Sequence, residues 1–187
     1  MPNASTDWTV DMVHDLPDDG LRYEVIDGEL LVTPAPTWTH QRVVLELVMR
    51  LNPYIEATGC GALTFAPAAV RLGPRTEVQP DLFVTPLVGT RPPRTWEEAG
   101  RLLLAVEVLS PSSDRADREI KRQLYRRERV PQYWLVDAER RAVTRWRPDS
   151  KIGEELRAHL EWHPDPAQPP LTIDLPAFFA SVHGEQP

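Results

Sequence analysis

The chain has 187 residues, 41% hydrophobic and 26% charged, which is enough for one globular domain with a sizeable core and excludes a low-complexity polymer. Its formal charge of -7 argues against a protein that coats nucleic acid nonspecifically, so any nucleic-acid surface must be a local patch. A single cysteine, Cys60, excludes an internal disulfide framework, and without a signal-like leader or a bilayer-length apolar run the expected protein is soluble and cytoplasmic, with no membrane partner.

Residues 1–20 read as an N-terminal extension. Met1 to Asp7 is a loose end, Trp8 to Leu16 a short helix capped by Thr6 or Asp7, and Pro17-Asp18-Asp19-Gly20 a turn. Tyr23 to Ile26 and Glu29 to Thr33 are two strands joined at Asp27-Gly28, a pair suited to the positive φ angles of a tight hairpin. Glu24 and Glu29 on these strands are either auxiliary acids of a site or ordinary solvent-face residues. Beyond Pro34-Ala35-Pro36, the spacing of Val43, Val44, Leu47, Val48 and Leu51 predicts an amphipathic helix from about Thr39 to Thr58, in spite of Pro53. His40 falls in its first turn, where a structural histidine is the default and a place near a metal the alternative.

Gly59 to Leu72 is extended, and Val78 leads to Asp81, which follows Pro80 and opens the apolar run Leu82 to Val84. The loop between Pro86 and Glu98 carries Arg91 and Arg94 near Trp96, either a solvated loop or a nucleic-acid contact. Leu102 to Leu109 is almost continuously apolar, as a strand covered on both faces would be. Glu107 interrupts it. A carboxylate inside a core strand needs a lysine, an arginine, a metal or a proton. Alternation puts Leu103, Ala105, Glu107 and Leu109 on one face, and Leu102, Leu104, Val106 and Val108 on the other. If the Asp81 and Glu107 strands are neighbours, their carboxylates can converge on one hard cation such as Mg²⁺.

The stretch Asp114 to Tyr125 reads as a helix. In steps of four, Asp117, Lys121 and Tyr125 form one stripe beside Ala116, Ile120 and Leu124, so Lys121 borders the sheet-facing side. The far side carries Arg118, Arg122, Arg126 and Arg129, as a solvated or phosphate-facing surface would. Gln132 to Val136 and Ala142 to Arg147 form a hairpin. Residues 150–187 are edge and cover: a strand over Glu154 to Trp162, a loop, a short strand Leu171 to Leu175 and a helix Pro176 to Val182.

Several motifs recur in order over nearly the whole chain: Tyr23-Glu24-Val25-Ile26-Asp27-Gly28-Glu29, His40, Pro80-Asp81, Glu107-Val108-Leu109-Ser110-Pro111-Ser112, Asp117 with Lys121, and Val130-Pro131-Gln132-Tyr133-Trp134-Leu135-Val136-Asp137. Together they resemble the Uma2 family, also called DUF820, of restriction-endonuclease-like proteins. The resemblance implies an α/β fold of the PD-(D/E)XK type, with a central mixed β-sheet flanked by α-helices and an N-terminal β-hairpin, spanning residues 1–187 as a single domain. It also implies a Mg²⁺-dependent (or Mn²⁺-dependent) endonuclease that hydrolyses phosphodiester bonds in DNA as a homodimer. Asp81 and Glu107 would be the metal ligands and Lys121 the third catalytic residue, with Glu24, Glu29, His40 and Asp117 as auxiliary groups and Arg118, Arg122 and Arg126 against nucleic acid. One position departs from the pattern: Leu109 stands where the lysine is expected, and Lys121 on the following helix takes its role. The alternative is a nuclease-fold binding or regulatory module of little or no activity, in which Asp117 pairs with Lys121 and withdraws it.

Overall fold

The structure, a computed structural model, describes residues 7–110 and 113–185. The loose end at residues 1–6, the Thr6 cap, and Pro111-Ser112 lie outside the described residues.

Helix α1 (Val10–His14) starts later than expected because Thr9 is its cap: the Thr9 hydroxyl accepts the Met12 N–H. Strands β1 (Arg22–Ile26) and β2 (Glu29–Thr33) form the hairpin, with Asp27 at φ 51° and Gly28 at φ 86°, as the turn chemistry requires. Helix α2 (Trp38–Thr58) is capped by the Thr37 side chain and stopped by Gly59 at φ 62°. Pro53 is tolerated on its exposed side, where the carbonyl left without a partner can meet water.

The expected extended segment after Gly59 is two strands in different sheets, β3 (Ala62–Phe65) and β4 (Val70–Gly73). β4 and β5 (Thr76–Val78) join the hairpin in a four-stranded antiparallel sheet ordered β2-β1-β5-β4. The central sheet contains β3, β6 (Leu82–Thr85), β7 (Leu104–Val108), β8 (Tyr133–Asp137), β9 (Ala142–Trp146) and β10 (Glu154–Leu156). Its order is β10-β9-β8-β7-β6-β3. It is mixed, because β7 and β8 run parallel while the other pairs are antiparallel. A parallel pair needs a crossover, and the segment between them supplies it as a π-helical turn (Ala116–Lys121) continuing into α4 (Arg122–Arg127). Before β7, the short helix α3 (Trp96–Ala99) closes the Arg-rich loop.

Each face of the central sheet has its own core. On one, Leu104, Val106 and Val108 pack with Val43, Leu47, Leu51 and Ile55 of α2 and with Phe178 and Phe179 of the C-terminal helix α5 (Leu175–His183). On the other, Phe83, Ala105 and Leu135 pack with Leu124 and Tyr125 of α4 and with Ile26, Val70 and Val78 of the smaller sheet. The alternation expected for residues 102–109 therefore holds from Leu104 onward. Leu102 and Leu103 fall on the opposite faces from those expected, because they precede the pleated strand.

The strand expected over Glu154 to Trp162 is also divided. β10 extends the central sheet, whereas β11 (His159–Trp162) pairs with β12 (Leu171–Asp174) and delivers Leu160 and Trp162 to the α2 side of the core. No described helix is long and apolar enough to cross a membrane.

Candidate active site

The antiparallel register of β6 and β7 sets Leu82 opposite Val106. Asp81, one residue before β6, therefore meets the C-terminal end of β7, and its Oδ2 accepts the Val108 N–H at 2.8 Å. The other oxygen, Oδ1, accepts from Arg22 Nη1 at 2.9 Å, and Arg22 also donates to the Gln79 carbonyl at 3.1 Å. His40, in the first turn of α2, reaches Asp81 Oδ2 through Nε2 at 2.9 Å. A carboxylate can only accept, so Nε2 carries the proton; Nδ1 is buried and meets no hydrogen-bond partner among the described residues. Burial works against the Asp81 charge, but the hydrogen bond and charge of His40, with the charges of Arg22 and Lys121, hold its carboxyl below the ordinary carboxylate range.

Behind this pair lies an interior cluster. Glu107 points from β7 toward α4 and the smaller sheet, and its Oε1 accepts the Tyr125 hydroxyl at 2.8 Å and lies 3.1 Å from Lys121 Nζ. Lys121 is also 2.9 Å from Glu24 Oε2 and 3.6 Å from Asp117 Oδ1. The second Glu24 oxygen accepts the Gln79 N–H at 2.7 Å, which ties the smaller sheet to the cluster. Asp117 and Lys121 on the π-helical turn and Tyr125 on α4 are four residues apart on one helical face, and all three are buried. Lys121 is only 2% exposed.

The charges do not balance. Glu24, Asp81, Glu107 and Asp117 are buried carboxylates, whereas the fixed cations against them are Arg22 and Lys121. Burial pushes Glu107 well up, the other acids push it further, and Lys121 only partly offsets them. Burial likewise raises Asp117. Lys121 goes the other way: burial disfavours its charge, yet the surrounding acids raise its pKa and keep the ammonium. Among the described residues no three His, Cys, Asp or Glu side chains enclose a common point as a metal cage. The donor set nevertheless fits a hard divalent cation: the donors are carboxylate oxygens, and among the described residues Asp117 Oδ1 has no hydrogen-bond partner.

Two cavities flank His40. One, of about 550 Å³, is lined by Asp81, Arg22, Gln79 and the Pro34–Pro36 turn. The second, of about 610 Å³, is lined by Val108, Ser110, Arg118, Asp137 and Arg140. Glu107, Asp117 and Lys121 line neither.

Of the residues singled out from sequence, the fold brings together Asp81, Glu107, Lys121, Glu24, His40 and Asp117. Glu29 is not among them; it is exposed, beside the hairpin turn opposite Ile26. The arginine stripe is split, because Arg118 joins the second cavity and bonds Asp114 at 2.7 Å, whereas Arg122 and Arg126 line a separate recess. In the α3 loop, Arg91 is bound to Glu98 and Trp96 packs against the core. Sequence reasoning missed Arg22. Its signal was the strand period, which places Arg22 on the same face of β1 as Glu24.

A mixed sheet that presents two acids at one strand end, with a helix crossing over them, defines a restriction-endonuclease-like α/β fold. A crystal structure from Anabaena variabilis ATCC 29413, titled as "a putative nuclease belonging to DUF820", superposes with a TM-score of 0.74 over 94% of this chain and 99% of that one. At 17% identity this likeness shows the fold alone. The family itself is given by a sequence profile that matches residues 10–182: the chain belongs to the Uma2 family, described as "Putative restriction endonuclease". No curated protein matches the chain.

Proposed function

We propose that this protein is a divalent-metal-dependent endonuclease that uses Mg²⁺ or Mn²⁺ to hydrolyse phosphodiester bonds in DNA. The observation that carries this reading is the convergence of Asp81 and Glu107 from neighbouring strands, with the Lys121 ammonium 3.1 Å from Glu107. Asp81 and Glu107 would hold the metal, which when bound polarises a phosphate and lowers the pKa of water.

The chain's own groups do the rest. Arg22, His40 and the Val108 N–H fix the Asp81 carboxylate from three directions and favour its ionised form. Tyr125 and Lys121 orient Glu107, and Lys121 supplies positive charge against the negative charge that develops on the phosphoryl oxygens. Glu24 and Asp117 keep that lysine charged in the interior. Arg118, beside His40, is the contact for a flanking phosphate in this reading. Two copies, as a homodimer, would supply the two sites that cutting both strands takes.

One observation favours a second reading, a nuclease-fold binding or regulatory module: Lys121 is held by three acids and lines neither cavity. Calorimetry with Mg²⁺ and Mn²⁺, paired with plasmid nicking on the same samples, separates the two. For the nuclease, wild type binds metal and nicks, and the Asp81→Asn/Glu107→Gln double variant does neither. Metal binding without nicking by wild type supports the module. Nicking by the double variant at the wild-type rate refutes the site.

A further inference from the structure

Arg122 and Arg126 lead away from the acid cluster to a surface recess of about 500 Å³, which Arg127, Arg129, Pro148 and Asp149 also line. Four arginines line one hollow in a chain with a formal charge of -7, although like charges repel. Arg127 is tied back to the hairpin turn by two bonds to Asp27, at 2.8 and 3.1 Å. Arg126 Nε donates to the Pro148 carbonyl at 3.3 Å, which fixes the opposite wall. Among the described residues, Arg122, Arg126 and Arg129 have no carboxylate in an ion pair, and neither do the exposed Arg94 and Arg101, whereas Arg91, Arg141 and Arg157 each have one; the recess differs in gathering three such arginines around one hollow.

The end of a helix favours cations, which accounts for Arg126 and Arg127 in the last turn of α4. It does not account for Arg122 in the first turn. Nor does it explain why Asp149 is the sole acid lining the recess among the described residues. A guanidinium fork without a carboxylate partner matches the oxygens of a phosphate.

We infer that this recess is a second nucleic-acid contact, separate from the candidate active site, which binds backbone phosphodiester groups through Arg122, Arg126 and Arg129. Its ligand rests on the nuclease reading, but its chemistry does not depend on the acids of the cluster. Lys121 faces Glu107, and Arg122, the next residue, faces the recess. A backbone seated there is held on the outer side of the same crossover that carries the interior lysine. Contacts to backbone phosphates carry no sequence information, so this one is indifferent to sequence.

The test is fluorescence-anisotropy binding of a labelled oligonucleotide, single-stranded and duplex, over a range of salt concentrations with EDTA present, alongside metal-dependent nicking of plasmid. The triple variant Arg122→Gln/Arg126→Gln/Arg129→Gln is compared with wild type and with the control Arg91→Gln/Arg141→Gln/Arg157→Gln, which removes the same charge elsewhere. Thermal melting verifies that each is folded. The recess variant should bind at least about tenfold more weakly, and its log K against log salt slope should fall by about 2 to 3, as three lost phosphate contacts require. The control should stay near wild type. Equal affinity and slope in the recess variant and wild type overturn the inference, and nicking retained in both leaves the nuclease reading standing. Equal losses in the recess and control variants overturn it as a net-charge effect. If wild type binds no oligonucleotide the recess is not a nucleic-acid contact, and titration with inorganic phosphate then tells whether it takes a free anion instead. Loss of nicking in wild type, with binding still dependent on the three arginines, refutes the nuclease reading and upholds the recess.

Discussion

Lys121→Met is the sharpest perturbation of the interior cluster, because it keeps the unbranched stem and removes only the ammonium. That ammonium lies 2.9, 3.1 and 3.6 Å from oxygens of Glu24, Glu107 and Asp117. Breaking a buried ion pair from one side typically costs about 3–5 kcal/mol, since the partner charge is left uncompensated. Against a total stability of about 5–15 kcal/mol, the variant should still fold near neutral pH but by a narrow margin. With a urea dependence of about 2 kcal/mol per M, the unfolding midpoint should fall by about 2 M. The sign of the pH dependence follows from the remaining acids. Glu107 and Asp117 already sit above their ordinary pKa because of burial, and loss of Lys121 raises them further. A carboxyl with a raised folded pKa contributes stability below its unfolded pKa and loses it as pH rises through the folded value. The deficit of Lys121→Met should therefore be largest near pH 8 and shrink toward pH 5. Urea unfolding followed by tryptophan fluorescence, which reports on the buried Trp134 and Trp162, measures it at both pH values. A deficit below about 1 kcal/mol at pH 8, or one that grows on acidification, would refute the buried cluster.

Arg22→Gln should cost about 1.5–3 kcal/mol near pH 7 by removing a charge-assisted bond to Asp81. Because the folded Asp81 pKa is depressed, its contribution is present above the ordinary carboxylate value and is lost as pH falls through the folded one. The acid-unfolding midpoint of Arg22→Gln should thus move to higher pH in a circular-dichroism titration, and an unchanged midpoint would count against the Arg22–Asp81 pair. Glu29→Ala, at an exposed position, should leave the melting free energy within about 0.5 kcal/mol and nicking unchanged; a large loss of nicking would return Glu29 to the site. Gly61→Ala should destabilise by about 1–3 kcal/mol in chemical denaturation, because its Cβ would sit 2.6 Å from the Thr85 carbonyl oxygen and 2.8 Å from Val84 Cγ1. Wild-type stability in that variant would mean that β3 and β6 are less closely packed than described.

The sequence by itself determined what local rules can reach. Asp27-Gly28 dictated a hairpin because both residues accept positive φ, and the apolar run around Glu107 announced a buried strand with one costly carboxylate. The period of α2 named its core residues, and the four-residue stripe named Asp117, Lys121 and Tyr125 as neighbours. Ordered motifs pointed to the family. Only the tertiary structure decided which strands are adjacent, since pairing joins residues far apart in the chain: Asp81 meets Val108, and Glu24 meets Lys121, through registers that no local pattern encodes. The same limit explains the misplaced strands at Gly59 to Leu72 and Glu154 to Trp162, where one extended run serves two sheets. It explains Glu29 as well, for its place by the turn leaves it exposed while Glu24, earlier on the hairpin, is buried. Periodicity assigns a side chain to a face, but whether that face meets solvent, a lysine or another acid depends on long-range packing.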